Sequence, residues 1–537
     1  MKYFTYTCGC KFPLVDDSDN AIVFDPTIEN IDLECSRTWD LIASGNTKGC
    51  FQLESRLGRT MAKKLKPENI EQLSALISIV RPGCLEAIRD GKSVSNHYID
   101  KKNGNESVDY FHKALEPILK ATYGEMVYQE QAMEITRVIA GFNLQEADML
   151  RKAIGKKKPE EMAKVKQKFL EGSKTKKIVN ESQAEEIFGW IEKSQRYSFN
   201  KSHSISYAIN AYLSAYAKSH FPKIFFASYL RFAKDKIDPQ QEIKELIQNA
   251  NEMEVGVKPP DIRLMNEFFC LHDNSIYFGL TDIKGVGKSV FEKLKEITKD
   301  IDLKKIKWID LLINILLKIN STAAKALISS GAVSFIDKSR NSMLYELSII
   351  DKLTDREISI VKPYMTSESS LSLKQFLEII LSNKITKKRH DVIQELLYSL
   401  IHPPFSLTDT AEWISDNEDM LLGYSITCSK IDMYDVSMTN ATCRDVKNNI
   451  IGDNILLAGE IDNINIVKTK TGNSKGMDMA FISMSDSTGN LDSVICFAEQ
   501  YKQFKNVLFN GNIIIVKGKR SKTRDGLIVE KIFLPST

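Results

Sequence analysis

The sequence predicts a multidomain, mainly α-helical protein that ends in a small all-β barrel. Its 537 residues would form about three to five domains of ordinary size. Apolar residues recur at helical spacing from about residue 66 to 250 and again from 300 to 420. From residue 453 to 535 the pattern changes to five alternating segments separated by glycines, which is typical of an OB-type barrel.

The helical pattern is clearest in four segments of the first half. Apolar residues there recur at i, i+3, i+4 and i+7, in residues 70–80, 129–139, 183–191 and 207–218. Pro82 and Gly83 should close the first helix and Gly141 the second. Ahead of them, the polar residues 16–20 predict a turn that leads into a short strand at 21–24.

The barrel strands are predicted at residues 455–461, 479–486, 491–497, 512–517 and 527–533. Six glycines punctuate these segments. Five short strands with turns that contain glycine over about 85 residues suit a small closed barrel of the OB type.

The charges nearly balance, because 73 Lys and Arg face 70 Asp and Glu and leave a net charge of +3. A protein that binds nucleic acid over its whole surface is usually more basic, so any such site must be a local patch. No apolar run approaches the ~18 residues of a membrane span. The N-terminus has no apolar signal region either, and we expect a cytoplasmic protein.

The nine cysteines contain no CxxC pair, which argues against a disulfide framework and against a paired zinc motif. Cys8 and Cys10 form a CxC that could join Cys35 and Cys50 in a four-thiolate site. Structural zinc sites usually have tighter paired spacing. We therefore favour four reduced thiols in and near a small strand pair, and we predict no metal site.

A basic block occupies residues 151–158 and follows a helical pattern. It contains the cations Arg151, Lys152, Lys156, Lys157 and Lys158 and no acidic residue. Such a cluster repels itself unless an anion neutralises it, and phosphate suits both arginine and lysine. The alternative is a solvated helix end whose cations complement the helix dipole. Taken alone, the block favours this alternative.

Residues 197–204 are dense in hydrogen-bond donors, just ahead of a helix that we expect to begin near Ser204. The donors include Asn200, Lys201, Ser202 and His203. Donors at a helix N-terminus form a ready anion site. The alternative is a serine-rich cap with a solvated lysine, and His203 alone would more often be structural than an acid or base.

A glycine turn lies between two short helical segments at residues 283–288. Its central residues are Lys284, Gly285, Val286, Gly287 and Lys288. Such a hairpin can direct backbone N–H groups at a DNA phosphate without reading the base sequence. An ordinary turn is the alternative.

The barrel carries a second basic cluster near the turn between its last two strands. Lys519, Arg520 and Lys522 belong to this cluster. Phe481 and Phe497 could stack on the bases of a single strand, or they could equally fill the barrel core.

Taken in order, these segments resemble a known family. The series contains GCFQLES at 49–55, RPG at 81–83, YG at 123–124, YQEQ at 128–131, the basic block followed by PEEM at 159–162, and FNKSHS at 199–204. It resembles the fingers domain of the C-family bacterial replicative DNA polymerase, the DNA polymerase III alpha subunit. The resemblance continues through residues 259–262 and the glycine hairpin, then more weakly at 330–332, at 422–424 and in the barrel.

The resemblance implies five parts of the chain. They are a palm-to-fingers connecting and docking segment (1–45), the fingers (46–260), a helix-hairpin-helix domain (261–335), a helical region like the clamp-binding region (336–420) and an OB-fold domain (421–537). By position, the contacts with the incoming dNTP would be Arg151, Lys152, Lys156, Lys157, Asn200, Lys201, Ser202 and His203. The hairpin 284–288 would hold template-primer DNA. The OB domain, with Lys519, Arg520 and Lys522, would hold the single-stranded template.

The sequence also departs from the family. The family's palm carries an Asp-x-Asp pair and a third Asp, which hold two Mg²⁺ ions for phosphoryl transfer. Asp17 and Asp19 have that spacing but sit in a polar turn, and Asp25 is a weak candidate for the third carboxylate. No convincing clamp-binding motif is present at residues 375–377, which leaves the sliding clamp as an open partner.

Two functions of different classes follow. The chain could be the C-terminal half of a split replicative polymerase that acts with a separate palm-bearing chain, in a bacterium or a phage-infected cell, with Mg²⁺ bound mainly by that partner. It could instead be a non-catalytic DNA- or replisome-binding relic. A mere DNA binder would not need the basic block and residues 200–203. Because both are present, we favour the split polymerase.

Overall fold

A computed structural model describes residues 2–5, 8, 11–15, 29–155, 159–194, 198–365, 371–448, 450, 452, 454–469, 474–521 and 526–536. The chain divides into two compact units, Met1–Pro222 and Lys223–Thr537. Within the described ranges, no helix is both long enough and apolar enough to cross a bilayer.

In its described residues, the first unit has two small antiparallel strand pairs and is otherwise built from helices and their connections. β1 (Lys2–Thr5) pairs with β2 (Lys11–Val15), and β3 (Ile88–Arg89) pairs with β4 (Lys92–Ser93). The helices are α1 (Ser36–Ala43), α2 (Arg56–Leu65), α3 (Ile70–Ile79), α4 (Pro82–Glu86), α5 (Val94–Lys102), α6 (Glu116–Leu119), α7 (Gln129–Ala140), α8 (Leu144–Gly155), α9 (Pro159–Lys176), α10 (Glu181–Ser194) and α11 (Lys201–His220).

All four helices expected from the periodicity are confirmed, as α3, α7, α10 and α11. Gly141 ends α7 in a left-handed conformation with φ +73°, and its N–H donates to the carbonyls of Thr136 and Arg137. That conformation favours glycine because it lacks a Cβ. The turn expected at 16–20 and the strand expected at 21–24 lie outside the described residues.

The expected start of the last of these helices near Ser204 is wrong, because α11 already begins at Lys201. Asn200 is its N-cap, and the side-chain oxygen accepts the backbone N–H of His203 at 2.9 Å. This bond satisfies one of the donors that every helix leaves unpaired at its start. The helix therefore gains a turn that the apolar pattern alone does not indicate.

Two hydrophobic cores organise the first unit. One is built by α1–α5 with α11, and it includes Ala208, Ala211 and Ala215, whose small side chains allow α11 to lie close to α3. The other is built by α6–α10. The start of α7 links the two, because Tyr128 packs in the first core while Ala132 packs in the second.

The second unit begins with α12 (Pro222–Phe232), which starts at the boundary between the two units. Its further helices are α13 (Pro239–Glu252), α14 (Lys288–Thr298), α15 (Trp308–Asn314), α16 (Ser321–Ser329), α17 (Arg340–Ile350), α18 (Asp355–Val361), α19 (Leu373–Ser382), α20 (Lys387–Ile401), α21 (Ala411–Leu422), α22 (Cys443–Lys447) and α23 (Ala498–Phe504). A small sheet in the order β5–β7–β6 joins them, with β5 (Val257–Lys258), β6 (Cys270–His272) and β7 (Ser275–Tyr277). One hydrophobic core runs through the helical part from Phe226 to Leu422.

A buried ion pair crosses this core. The Arg340 guanidinium lies 2.8 Å from Glu418, and the two side chains are 5% and 0% exposed. Arg340 also donates to the carbonyl of Ser329 at 2.9 Å, while Glu418 accepts the backbone N–H groups of Ile426 and Thr427 at 2.7 and 2.8 Å. A charge pair removed from water needs such additional hydrogen bonds to offset its desolvation.

The second unit ends in a closed barrel with the strand order β10–β12–β11–β8–β9. Its strands are β8 (Ile455–Lys468), β9 (Asp478–Asp486), β10 (Gly489–Cys496), β11 (Ile513–Arg520) and β12 (Leu527–Phe533). The parallel pairing of β10 with β12 closes the barrel, and α23 connects β10 to β11. The predicted OB-type architecture is confirmed, although β8 runs beyond its expected end to form a long hairpin with β9.

Candidate nucleotide- and DNA-binding sites

The N-terminus of α11 collects polar groups around a single carboxylate. Glu130 accepts the side-chain amide of Asn200 at 2.7 Å and the backbone N–H of Lys201 at 2.9 Å. This is where the positive end of the helix dipole attracts an anion. The carboxylate of Glu130 thus marks a position where an anion is already stabilised.

Cations and aromatic rings surround this helix start. The Lys201 ammonium lies 3.4 Å from Glu71 and 5.7 Å from the ring centroid of Tyr128. The Arg81 guanidinium lies 3.7 Å from the ring centroid of Phe199. Cation–π contacts of this kind hold a charged head in place while leaving it accessible.

The imidazole of His203 belongs to the same surface. Its ring centroid lies 4.1 Å from that of Tyr207 and 5.3 Å from that of Phe199. His203 and Ser202 are exposed, in contrast to the buried Ser204 one position further on. The expected residues Asn200, Lys201, Ser202 and His203 therefore lie together on one accessible turn.

A buried hydroxyl network holds this turn in place. Ser204 donates to the carbonyl of Ser74 at 2.7 Å and shares a hydrogen bond of 2.7 Å with the hydroxyl of Ser78. The hydroxyls of Ser74 and Tyr128 lie 3.0 Å apart, and burial raises the pKa of Tyr128. Fully satisfied buried networks of this type rigidify the elements they join. Here they fix the first turn of α11 against α3.

The described part of the basic block has a different environment. Arg151 and Lys152, in the last turns of α8, each lie 2.8 Å from the carboxylate of Asp148. Their side chains are exposed, and hydrogen bonds from Lys152 and Arg151 lower the pKa of Asp148. Lys156 and Lys157 lie outside the described residues. For the residues that are described, no hydrogen bond or ion pair links Arg151 or Lys152 to residues 200–203.

The glycine hairpin in the second unit is anchored by apolar residues. Ile283 and Val286 are 2% and 1% exposed, and the Val286 N–H donates to the Ile283 carbonyl at 3.0 Å. Val286 is therefore an internal anchor of the turn, and its N–H is already used there. Lys284, Gly285, Gly287 and Lys288 are exposed, and Gly285 has φ +96°. The exposed part of the hairpin thus consists of two glycines and two lysines.

The carboxyl group of Asp282, just before the hairpin, has an unusually high pKa. Burial raises the pKa of Asp282 to about 7, against a smaller lowering effect of Lys234. Asp282 accepts the backbone N–H of Phe269 at 3.2 Å, which connects the hairpin to the small sheet.

In the barrel, the described cations lie at the end of β11. Lys519 pairs with Glu530 at 2.7 Å, and Arg520 is half-buried, while Lys522 lies outside the described residues. Phe497 is 45% exposed and Phe481 is half-buried, and neither belongs to the barrel core. Phe497 therefore lies at the surface, and Phe481 lies partly below it.

Across the described ranges, one group has three side chains close enough to share a metal ion, namely Cys8, Cys35 and His220. These soft donors do not suit Mg²⁺, which prefers oxygen ligands. Asp25, the weak candidate for a catalytic carboxylate, lies outside the described residues, as do Asp17 and Asp19. The described residues therefore do not fit the two-metal site of phosphoryl transfer.

Residues 375–377 do not form an accessible clamp-binding motif. Phe376 and Leu377 are fully buried, and the Gln375 side chain accepts the N–H of Ser372 in a capping box. These side chains are engaged in the core and in a helix cap, so they are not exposed for a clamp to bind.

The sequence did not identify several residues that build the site at α11. Glu71, Glu130 and Arg81 stand 130, 70 and more than a hundred positions away from the residues they support. Arg81 and Glu130 do lie in the RPG and YQEQ segments, which carried the family resemblance without an assigned role.

Comparison with known proteins defines the class of these domains. Residues 15–177 match the sequence model of the bacterial DNA polymerase III alpha subunit finger domain. Residues 254–343 match that of a helix-hairpin-helix motif. The chain thus contains a segment similar to a polymerase fingers domain, followed by a helix-hairpin-helix region and an OB-type barrel.

The individual proteins to which the chain is similar include alpha subunits of bacterial DNA polymerase III. It is 31% identical to DNA polymerase III subunit alpha of Aquifex aeolicus over 512 residues, which is 94% of this chain and 39% of that protein. The corresponding subunit of Haemophilus influenzae is 32% identical over 516 residues, 92% of this chain and 40% of that protein. That of Staphylococcus aureus (strain MSSA476) is 30% identical over 524 residues, 94% of this chain and 43% of that protein. The chain spans about two fifths of the length of these relatives.

Proposed function

We propose that this chain is the part of a replicative DNA polymerase that grips the nucleotide and the template, and that it acts in DNA synthesis together with a palm on a separate chain. The observation that carries the proposal is the start of α11. There, Lys201 and His203 lie on one exposed turn. The next residue, Ser204, is hydrogen-bonded to Ser74 of α3, which belongs to the segment 15–177 that matches the polymerase finger domain.

The chemistry of this turn suits a triphosphate. Helix N–H groups, an ammonium and an imidazole can all donate to phosphate oxygens, and the Arg81 guanidinium can add a bidentate contact. Glu130 already takes the place of an anion at the helix start. Binding of a triphosphate would exchange that carboxylate, or move it aside, as the nucleotide approaches.

The second unit suits the DNA substrate. The exposed lysines and glycines of the hairpin can contact a phosphate backbone without selecting a base sequence. Phe497 and the cations at the end of β11 can bind a single strand by stacking and by charge. Because phosphates are neutralised at many points, the affinity for DNA should fall steeply with salt.

The carboxylates that hold Mg²⁺ are assigned to the palm partner. Mg²⁺ there would supply charge stabilisation for phosphoryl transfer. The residues of this chain would bind the triphosphate and orient it in line with the primer end.

Reconstitution tests this assignment. Primer extension is measured with this chain alone, with a palm-bearing chain from the same source alone, and with both. We expect extension only with both chains, with DNA binding by this chain alone. Extension by this chain alone, abolished by replacing one of its own carboxylates, would overturn the division between two chains.

Nucleotide binding distinguishes the proposed polymerase from the non-catalytic relic. The polymerase proposal expects a fluorescent dATP analogue to bind the complex with primer-template and to be displaced by unlabelled dATP. A relic would bind the DNA and leave the analogue in solution even with the palm chain present.

A further inference from the structure

Three potential metal ligands from distant parts of the sequence meet in the first unit. Cys8 lies between β1 and β2, Cys35 is the N-cap of α1, and His220 is the last residue of α11. Their ligand atoms all lie within 4.8 Å of one another, and Cys35 Sγ is 3.3 Å from His220 Nε2. The group is separate from the exposed turn at the opposite end of α11.

The 3.3 Å between Cys35 Sγ and His220 Nε2 is close to the separation of two ligands of a tetrahedral zinc ion, and the third ligand atom lies within 4.8 Å of both. Zinc bonds to cysteine sulfur and histidine nitrogen place two sulfurs about 3.8 Å apart and a sulfur and a nitrogen about 3.5 Å apart. A hydrogen bond between Cys35 and His220 alone would account for one of the contacts. It would not account for Cys8, which reaches the same point from a different element.

The surroundings of the group favour a structural ion over a catalytic one. Cys35 is 1% exposed, His220 is 3% exposed, and Cys8 is half-buried against the core of α1–α5 and α11. Thiolate and imidazole together are the donors that zinc prefers.

Two of the elements that carry the ligands, α1 and α11, are held together by other bonds. The Arg37 guanidinium donates to the Ser219 carbonyl at 2.8 Å, and the hydroxyls of Thr38 and Ser219 lie 3.2 Å apart. The start of α1 is therefore fixed against the end of α11.

We propose that Cys8, Cys35 and His220 bind one zinc ion that fastens the β1–β2 pair to the fingers. This replaces the expectation of a chain without a metal site. It also differs from the four-thiolate combination, since Cys50 is fully buried and is not part of the group. Cys10 lies outside the described residues, and the proposal rests on the three ligands alone. A three-residue set leaves a fourth position for another donor.

Metal analysis of the full chain, purified without chelator, tests the proposal. We expect about one zinc ion per chain, and Co²⁺ in its place should give the visible bands of tetrahedral cobalt with thiolate charge transfer. Cys8→Ser and His220→Gln should each weaken Co²⁺ binding by more than about tenfold. Cys50→Ser is the matched control, a buried cysteine whose loss should leave metal binding unchanged.

A thiol-protection measurement covers the case in which a buried substitution unfolds the chain. In the unaltered protein, zinc should shield Cys8 from a maleimide, and a chelator should expose it while the helical circular dichroism persists. Wild-type chain that binds neither zinc nor Co²⁺ would overturn the proposal. So would unchanged metal binding in Cys8→Ser, or equal labelling of Cys8 with and without chelator.

Discussion

Two helix ends of the first unit were both expected to bind the nucleotide, and they differ in structure. The C-terminus of α8 carries the cations Arg151 and Lys152, whereas the N-terminus of α11 carries Lys201 beside the imidazole of His203. At α8, Arg151 and Lys152 share an acidic partner on their own helix and project from an exposed surface. At α11, the functional groups stand on a turn that is fixed from beneath by Ser74, Ser78 and Ser204.

The difference teaches that charged residues at a helix end can be either solvated or held in a fixed arrangement. The charged groups at α8 resemble a solvated helix end, which was the alternative for the basic block. Those at α11 are oriented by aromatic rings, a cap and a buried network, so less freedom is lost when a ligand binds. We therefore expect the two ends to respond differently to substitution.

The largest effect is expected from Lys201→Ala in the reconstituted polymerase. Loss of one charge-assisted contact to a triphosphate should lower kcat/KM for the nucleotide by roughly ten- to a hundredfold, with DNA affinity nearly unchanged. Titration of one nucleotide at saturating primer-template measures this effect. Lys174→Ala is the matched control, since this exposed lysine of α9 pairs with Glu181 away from α11. Equal losses of kcat/KM in Lys201→Ala and Lys174→Ala would mean that Lys201 makes no specific contact with the nucleotide.

The support beneath α11 can be tested separately with Ser204→Ala. The change leaves the buried hydroxyls of Ser74 and Ser78 short of a partner, which should destabilise the start of α11 by about 1–2 kcal/mol. Hydrogen exchange of α11 peptides, followed by mass spectrometry, should therefore become faster. Ser206→Ala removes an exposed hydroxyl from the same helix and should change exchange little. If both variants exchange alike, the buried network does not hold the turn.

A smaller effect is expected from Arg151→Ala. Because Asp148 already balances part of the charge, the loss in nucleotide kcat/KM should stay below about tenfold. Asp148→Asn sharpens the test, because it releases Arg151 and should lower the nucleotide KM slightly if Arg151 reaches the triphosphate. A loss for Arg151→Ala as large as that for Lys201→Ala would make the two helix ends equal partners in binding.

The smallest expected effect is a lowered pKa of Asp148. Hydrogen bonds from Lys152 and Arg151 hold the pKa of this carboxyl below its usual range. Their contribution to the end of α8 is therefore present above the ordinary aspartate pKa and is lost as the pH falls through the lowered value. Carbon-detected NMR titration should show the low pKa, and Lys152→Ala should move it upward. An ordinary pKa in the unaltered chain would mean that the cations are not held by Asp148.

Much of the fold follows from local patterns in the sequence. The helices α3 and α7 and the strand β12 lie where the periodicity predicts them, because each buries one face and the apolar spacing records that burial. Gly141 signals its helix end for a similarly local reason, since the backbone there needs a left-handed conformation.

The candidate site is harder to predict from the sequence, because the residues that hold it in place lie far apart along the chain. Glu130 and Asn200 are 70 positions apart, and Cys35 and His220 are 185 positions apart. No local pattern couples such pairs, which meet only after the helices pack. The early start of α11 was missed for a smaller reason, because capping by Asn200 extends the helix beyond its apolar stripe.

The ion pair between Arg340 and Glu418 has a consequence for dissecting the chain. It joins α17 to α21 and, through the backbone of Ile426 and Thr427, to the segment that leads into the barrel. A fragment cut anywhere between these partners would keep one buried charge without its counterpart, at a cost of roughly 3–5 kcal/mol. The boundaries drawn from sequence keep this pair together but cut its supporting hydrogen bonds. A cut at residue 335 separates Arg340 from the Ser329 carbonyl, and a cut at residue 420 separates Glu418 from the N–H groups of Ile426 and Thr427. A stable helical fragment should extend at least to Thr427, so that this part of the molecule is inherited, truncated or transplanted as one piece.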